Sequence, residues 1–141
     1  MPRYFTLSEA RQHLPALDSG IREAIAAKKV LEAAERDRRE LTERVMMVGG
    51  VSLDREKAID ARNKRESSAA ALKRVFEHFE EVGCVIKDLD IGLIDFPALY
   101  RGREVYLCWQ LGEPDIAFWH AVEEGFAGRQ PIDRDFLREC G

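Results

Sequence analysis

The chain is poor in cysteine, and the little it has forms no framework. Cys84, Cys108 and Cys140 are an odd set with no Cys-x-x-Cys pair, which argues against a disulfide scaffold and a zinc knuckle. They are expected to be reduced thiols, two buried and one at the tail. No apolar run approaches the roughly 20 residues that a membrane-spanning helix needs. The opening Met1-Pro2-Arg3-Tyr4-Phe5-Thr6 lacks the apolar stretch and cleavage site of a secretory leader, so a cytoplasmic location is expected. An excess of positive charge is missing too: 22 Lys and Arg stand against 26 Asp and Glu, for a net charge of −4. Nucleic acid and anionic membrane are therefore not expected as partners. There is no Walker loop, no dinucleotide fingerprint and no Ser-His-Asp or Cys-His order, so no residue is assigned a catalytic role.

What is present suits one domain of 141 residues, with 45% hydrophobic residues for a core. Charged residues reach 34%, above the usual quarter, which suits long solvent-facing helices. Residues 1–141 divide into a helical part, 6–82, and a β part with a C-terminal segment, 83–141.

Thr6-Leu7-Ser8-Glu9 has the form of a capping box. Pro15 and Gly20 are expected to break or kink the first piece, with a longer helix from about Asp18 to Val48. Its inner rows are Ala24, Leu31 and Val45, and Ala27, Ala34, Leu41 and Val48, in heptad fashion. Gly49-Gly50 ends the pattern, and Ser52 is placed as the N-cap of a second helix reaching Glu81 or Val82. The inward stripe of that helix is read as Ala58, Ile59, Ala69, Leu72, Phe76 and Phe79. Folded back at the glycines, the helices oppose Ile21 to Phe79, Ala24 to Phe76, Leu31 to Ala69 and Leu41 to Ile59, small against large. Arg38 then comes opposite Arg62 and Arg65, with Glu35, Asp37 and Glu66 near enough to pair with them.

From Cys84 the period changes to two. Strands are expected at 84–87, 93–99, 104–111 and 116–120, with turns at Asp88–Gly92, Tyr100–Arg103 and Gly112–Asp115. A first hairpin centred on Arg101-Gly102 opposes Phe96 to Leu107, Ile94 to Trp109 and Ala98 to Val105, which makes one face wholly apolar. A second turn centred on Glu113-Pro114 adds Phe118 and Ile116 to that face, to be packed on Phe76 and Phe79. The other face then carries Asp95, Tyr106, Cys108, Gln110 and Trp119. The fold class is thus α+β: a long antiparallel, coiled-coil-like helical hairpin packed on a three- to four-stranded antiparallel meander.

The runs Val85–Pro97, Gly102–Trp109, Gly112-Glu113, Ile116–His120 and Gly125–Ile132, together with Tyr4-Phe5-Thr6-Leu7 and Leu14-Pro15, resemble a prokaryotic family, domain of unknown function 2203 (DUF2203). The resemblance is specific in the β part and loose in the helices. It implies fold and prokaryotic origin, and no reaction.

Three groups of residues carry candidate chemistry. Asp88, Asp90, Glu113 and His120 combine carboxylates with an imidazole, the donors a divalent cation uses. The competing reading has the aspartates capping a turn and His120 hydrogen-bonded in the core beside Phe96 and Leu107. Asp95, Tyr106, Trp119 and Arg129 make a polar-aromatic face that could hold a ligand. Gly125-Phe126-Ala127-Gly128-Arg129 could offer amides and a guanidinium to an anion, against a tight turn with Phe126 in the core and Arg129 paired to an acid such as Asp95.

On these grounds the expected function is a protein-interaction or oligomerisation module without catalysis. The helical hairpin would form a homodimer or dock a protein partner. The alternative is a small protein binding a metal or an anionic ligand, a metal-dependent hydrolase among them. No cofactor is expected beyond a divalent metal under that alternative.

Overall fold

The structure is a computed structural model that describes residues 3–48 and 55–141. The expected turn at Gly49-Gly50 and the expected cap at Ser52 lie outside the described residues. Helix α1 spans Leu7–Val48 and α2 spans Arg55–Val82. Strands β1 (Val85–Asp88), β2 (Leu93–Tyr100), β3 (Arg103–Gln110), β4 (Phe118–Ala121) and β5 (Gln130–Pro131) follow, and helix α3 (Arg134–Cys140) ends the chain. The strands pair in sequence order as a five-stranded antiparallel meander, one strand more than the largest number read from the sequence.

The capping box forms as expected. Glu9 N–H donates to Thr6 Oγ1 at 3.1 Å, and Thr6 N–H donates to Glu9 Oε1 at 3.0 Å. The expected break at Pro15 does not occur, because α1 continues through it. Proline withholds one N–H from the carbonyl four residues back. Both Pro15 and Arg11 lie on the exposed side of α1, where water can serve that carbonyl.

The helices run antiparallel with Gly20 against Val75 and Phe79, and with Arg74 3.4 Å from Glu23. Ile21, Ala24 and Ala27 are buried as expected. The inner face of α2, however, is turned from the one read. Val75, Phe79 and Val82 are buried, whereas Phe76 is 42% exposed. Both Leu72-Phe76-Phe79 and Leu72-Val75-Phe79-Val82 satisfy helical spacing. Val82, held near the sheet, decides for the second. Farther out no residue is buried, in 28–47 of α1 or in 55–74 of α2. Ile59, Ala69 and Val45, read as inward, are exposed there. Arg38 and Arg62 turn outward and pair within their own helices, with Glu35 and Glu66.

The β2–β3 hairpin has the expected register: Phe96 faces Leu107, Ile94 faces Trp109, Ala98 faces Val105 and Asp95 faces Cys108. Arg101 and Gly102 both have positive φ, 53° and 73°, the turn that matches strand twist. The β3–β4 register differs by one residue from the one read. Cys108 pairs with Phe118, Leu107 with Trp119 and Tyr106 with His120. The tight turn covers only Gln110–Glu113, where Glu113 N–H donates to Gln110 O at 3.0 Å, and residues 114–117 leave the ladder before β4 begins.

A one-residue slip exchanges the two faces of a strand. Trp119 therefore joins the apolar face, stacked on Phe136 of α3 at 5.5 Å between ring centroids and edge-on to Tyr100 at 5.2 Å. His120 and Phe118 move to the polar face. The apolar face shares one core with Leu17, Ile21 and Phe79 of the helices and Phe136 of α3. The N-terminal segment is tied to β2, with Phe5 N–H donating to Pro97 O at 2.7 Å and the Phe5 ring edge-on to Phe96.

Candidate functional site

The register of β4 brings together, among the described residues, a buried cluster of three potential metal-ligating side chains. Asp95 on β2, Cys108 on β3 and His120 on β4 point from the same side of the sheet, and each is essentially inaccessible to solvent. One donor atom from each lies within 4.8 Å of the others. His120 Nε2 stands 3.1 Å from Asp95 Oδ1 and 3.0 Å from Oδ2. His120 Nδ1 lies 2.8 Å from the Ala121 carbonyl oxygen, which can only accept, so Nδ1 carries a hydrogen. Nε2 and Asp95 must then share one more proton between them. Burial and the neighbouring Asp95 carboxylate push the Cys108 thiol up to about 12, so its sulfur stays protonated at neutral pH.

Neighbouring side chains close this face. The Tyr106 ring lies 5.5 Å from the His120 ring. Burial, with Glu104 and Asp95 nearby, raises the Tyr106 phenol above its ordinary value. Lys87 sits over Tyr106, and the Arg129 guanidinium lies 4.1 Å from the Phe118 ring centroid.

Arg129 pairs with Glu113 and not with Asp95. Its Nη2 donates to Glu113 Oε1 and Oε2 at 2.6 and 2.8 Å and lies 3.4 Å from Cys108 O. Glu113 is otherwise occupied by its own turn: Gln110 N–H donates to Oε1 at 2.6 Å, and Trp109 Nε1–H to the Glu113 carbonyl at 3.0 Å. The glycine-flanked segment offers no open amide cradle. Gly128 N–H and Arg129 N–H bond back to Gly125 O and Phe126 O in a short 3-10 turn, Phe126–Gly128. Phe126, expected in the core, is half exposed beneath Arg129.

The four residues read as one metal set do not converge. Asp88 caps its turn by accepting from Asp90 N–H at 3.0 Å. Asp90 faces Lys28 of α1 at 2.6 Å, Glu113 faces Arg129, and His120 faces Asp95. Of the polar-aromatic set, Asp95 and Tyr106 share the polar face and Arg129 lies over its edge. Trp119 instead forms a wall of a cavity of about 250 Å³ on the other side, with Arg101, Arg103 and Glu123. Cys108 is the member that sequence reasoning left out. Asp95 opposite Cys108 was legible; His120 beside them was not, because β4 carries an aromatic ring on either face and satisfies both registers.

The third cysteine also departs from expectation. Cys140 is buried, and its Sγ–H donates to Leu99 O at 2.6 Å, tying α3 to β2.

Residues 3–132 match the family described as an uncharacterized conserved protein, DUF2203. The chain belongs to the DUF2203 family. No curated protein and no solved structure matches it. The DUF2203 match spans both long helices and all five strands, so the Asp95–Cys108–His120 cluster, Glu113 and Arg129 all lie within it. The α+β class of this DUF2203 chain agrees with the reading of its sequence. Among the described residues, no helix is long and apolar enough to cross a membrane.

Proposed function

We propose that the protein is an oligomerisation module in which two copies pair through the outer halves of α1 and α2, with the sheet as a rigid base. One observation carries this reading. Over residues 28–47 and 55–74 the two helices bury no residue, although they carry apolar side chains. That stretch of α1 is about 30 Å long at 1.5 Å per residue. Two helices alone bury too little to hold such an arm rigid, and four-helix bundles supply the missing faces.

The second copy is favoured as occupant by the surface itself. A groove of about 710 Å³ runs between the helices, floored by Val30, Ala33, Ala34, Leu41, Ala58 and Ala61. Its rims carry both signs, Asp37 and Asp60 with Arg38, Lys57, Lys64 and Arg65. A surface with both signs on its rim can pair with itself through a two-fold axis, acid to base in each direction. A strongly basic partner would meet repulsion from most of it, and a strongly acidic one from Asp37 and Asp60.

Light scattering coupled to size exclusion tests the reading on the wild-type chain and on Val30→Glu/Ala61→Glu. Both positions are accessible in the single chain, so the substitutions leave its fold intact. The expected result is a dimer for the wild type and a monomer of unchanged helix content for the variant. A wild type that stays monomeric at high micromolar concentration overturns the reading.

A further inference from the structure

We propose that Asp95, Cys108 and His120 form a structural site for a divalent transition metal of the zinc class. This goes beyond the oligomerisation reading and stands independently of it.

The donor set chooses the metal class. A hard carboxylate oxygen, a borderline imidazole nitrogen and a soft thiolate sulfur together suit Zn²⁺, Co²⁺ or Fe²⁺, whereas Mg²⁺ and Ca²⁺ take oxygen alone. Bond lengths of about 2.0–2.3 Å at tetrahedral angles put ligand atoms roughly 3.3–3.8 Å apart. Nε2 and the Asp95 oxygens are now at 3.0 and 3.1 Å, and all three donors lie within 4.8 Å. Small side-chain shifts, with the second Asp95 oxygen as a further donor, complete four-coordination.

The histidine is already set in the manner of a metal ligand. Its Nδ1–H is spent on the Ala121 carbonyl, which fixes the ring plane and turns Nε2 toward Asp95 and Cys108. The charge count also balances. Without metal the site holds two protons, one between Asp95 and Nε2 and one on Cys108, and is neutral as a whole. With a divalent ion it holds a carboxylate, a thiolate, a neutral imidazole and two positive charges, and is again neutral. The two protons leave to solvent. Exchange therefore brings no net charge into a site from which water is shut out.

The location says what such an ion would do. Its ligands come from three neighbouring strands, β2, β3 and β4, and β3–β4 is the pair joined by the long connection at 111–117. An ion held there pins the β4 register that the connection leaves free. The site is closed to solvent, as structural zinc sites are, so it is assigned no reaction.

The experiment uses the full chain, purified without metal-affinity resin, unfolded in chelator and refolded with or without Co²⁺. The expected result is one Co²⁺ per chain with a thiolate-to-cobalt charge-transfer band in the near ultraviolet. The band should persist in Cys84→Ser and in Cys140→Ser, and the bound cobalt should fall at least about tenfold in Cys108→Ser. A folded wild-type chain that retains no cobalt overturns the proposal, as does a band that survives in Cys108→Ser. Loss of the band in both Cys84→Ser and Cys140→Ser, each still folded, overturns it as well, so misfolding of Cys108→Ser leaves the proposal open to refutation by the other three proteins.

Discussion

His120 and Asp95 sit two strands apart, with all of β3 between them, yet His120 Nε2 lies within 3.1 Å of both Asp95 carboxylate oxygens. The contact spans the strand that carries the Cys108 thiol. Neither side chain has access to water, so each depends on the other to satisfy its polar atoms. Removing one partner strands the other. In metal-free solution Asp95→Ala and His120→Ala should each cost about 3–5 kcal/mol, the usual loss when half of a buried pair is taken away. Asp95→Ala/His120→Ala should lose clearly less than the two single losses added. Urea unfolding of the four proteins measures this, and strict additivity would contradict the coupling.

Ion pairs on this molecule should not be equal. Glu113 and Arg129 retain 24% and 12% of their side-chain exposure, and Glu113 also holds its own turn. Glu113→Ala should cost about 1.5–3 kcal/mol, the range for hydrogen bonds to a charged group. Lys28 and Asp90 are closer to water, and Asp90→Ala should stay within about 1 kcal/mol. Raising the salt concentration should erase most of the second loss and little of the first. Unfolding midpoints in low and high salt compare them.

The corrected face of α2 can be tested with two phenylalanines on neighbouring turns. Phe79 lies in the core, and Phe79→Ala should cost about 3–5 kcal/mol. Phe76 is 42% exposed, so Phe76→Ala should cost clearly less, about 1 kcal/mol. Comparable losses in chemical denaturation would mean that α2 is turned the other way.

The thiols give the protein a pH dependence. Burial pushes Cys84 up to about 12, against an ordinary value of 9.0. Between those values the unfolded chain releases the proton while the folded chain keeps it. The folded state then binds more protons, so stability falls as pH rises from about 9 to 12, at up to about 1.4 kcal/mol per pH unit for each such thiol. Cys84→Ala should flatten part of this slope in unfolding measured between about pH 8 and 11. At neutral pH all three cysteines are buried, so a thiol reagent should label the native chain far more slowly than the unfolded one.

Local chemistry made much of this fold legible. The Thr6–Glu9 box starts α1, and the hairpin at Arg101-Gly102 fixes the β2–β3 register, because a two-residue turn leaves the flanking strands one way to pair. Asp95 opposite Cys108 follows from that turn alone. The Asp88 cap is equally local, an acceptor meeting an amide two residues on.

The sequence by itself determined those elements, since each depends on contacts within a few residues. Only the tertiary structure decided the rotation of α2 and the faces of β4. On α2, Val75 and Phe76 both fit the helical period, and the choice falls to what the sheet places beside Val82. On β4, alternate residues Phe118 and His120 face one side and Trp119 the other, and the connection at 111–117 is too long to impose a register. Two distant contacts settle it, the clamp of Arg129 on Glu113 and the stacking of Trp119 on Phe136. A pattern of period two names which residues share a side; only packing against the rest of the chain says which side that is.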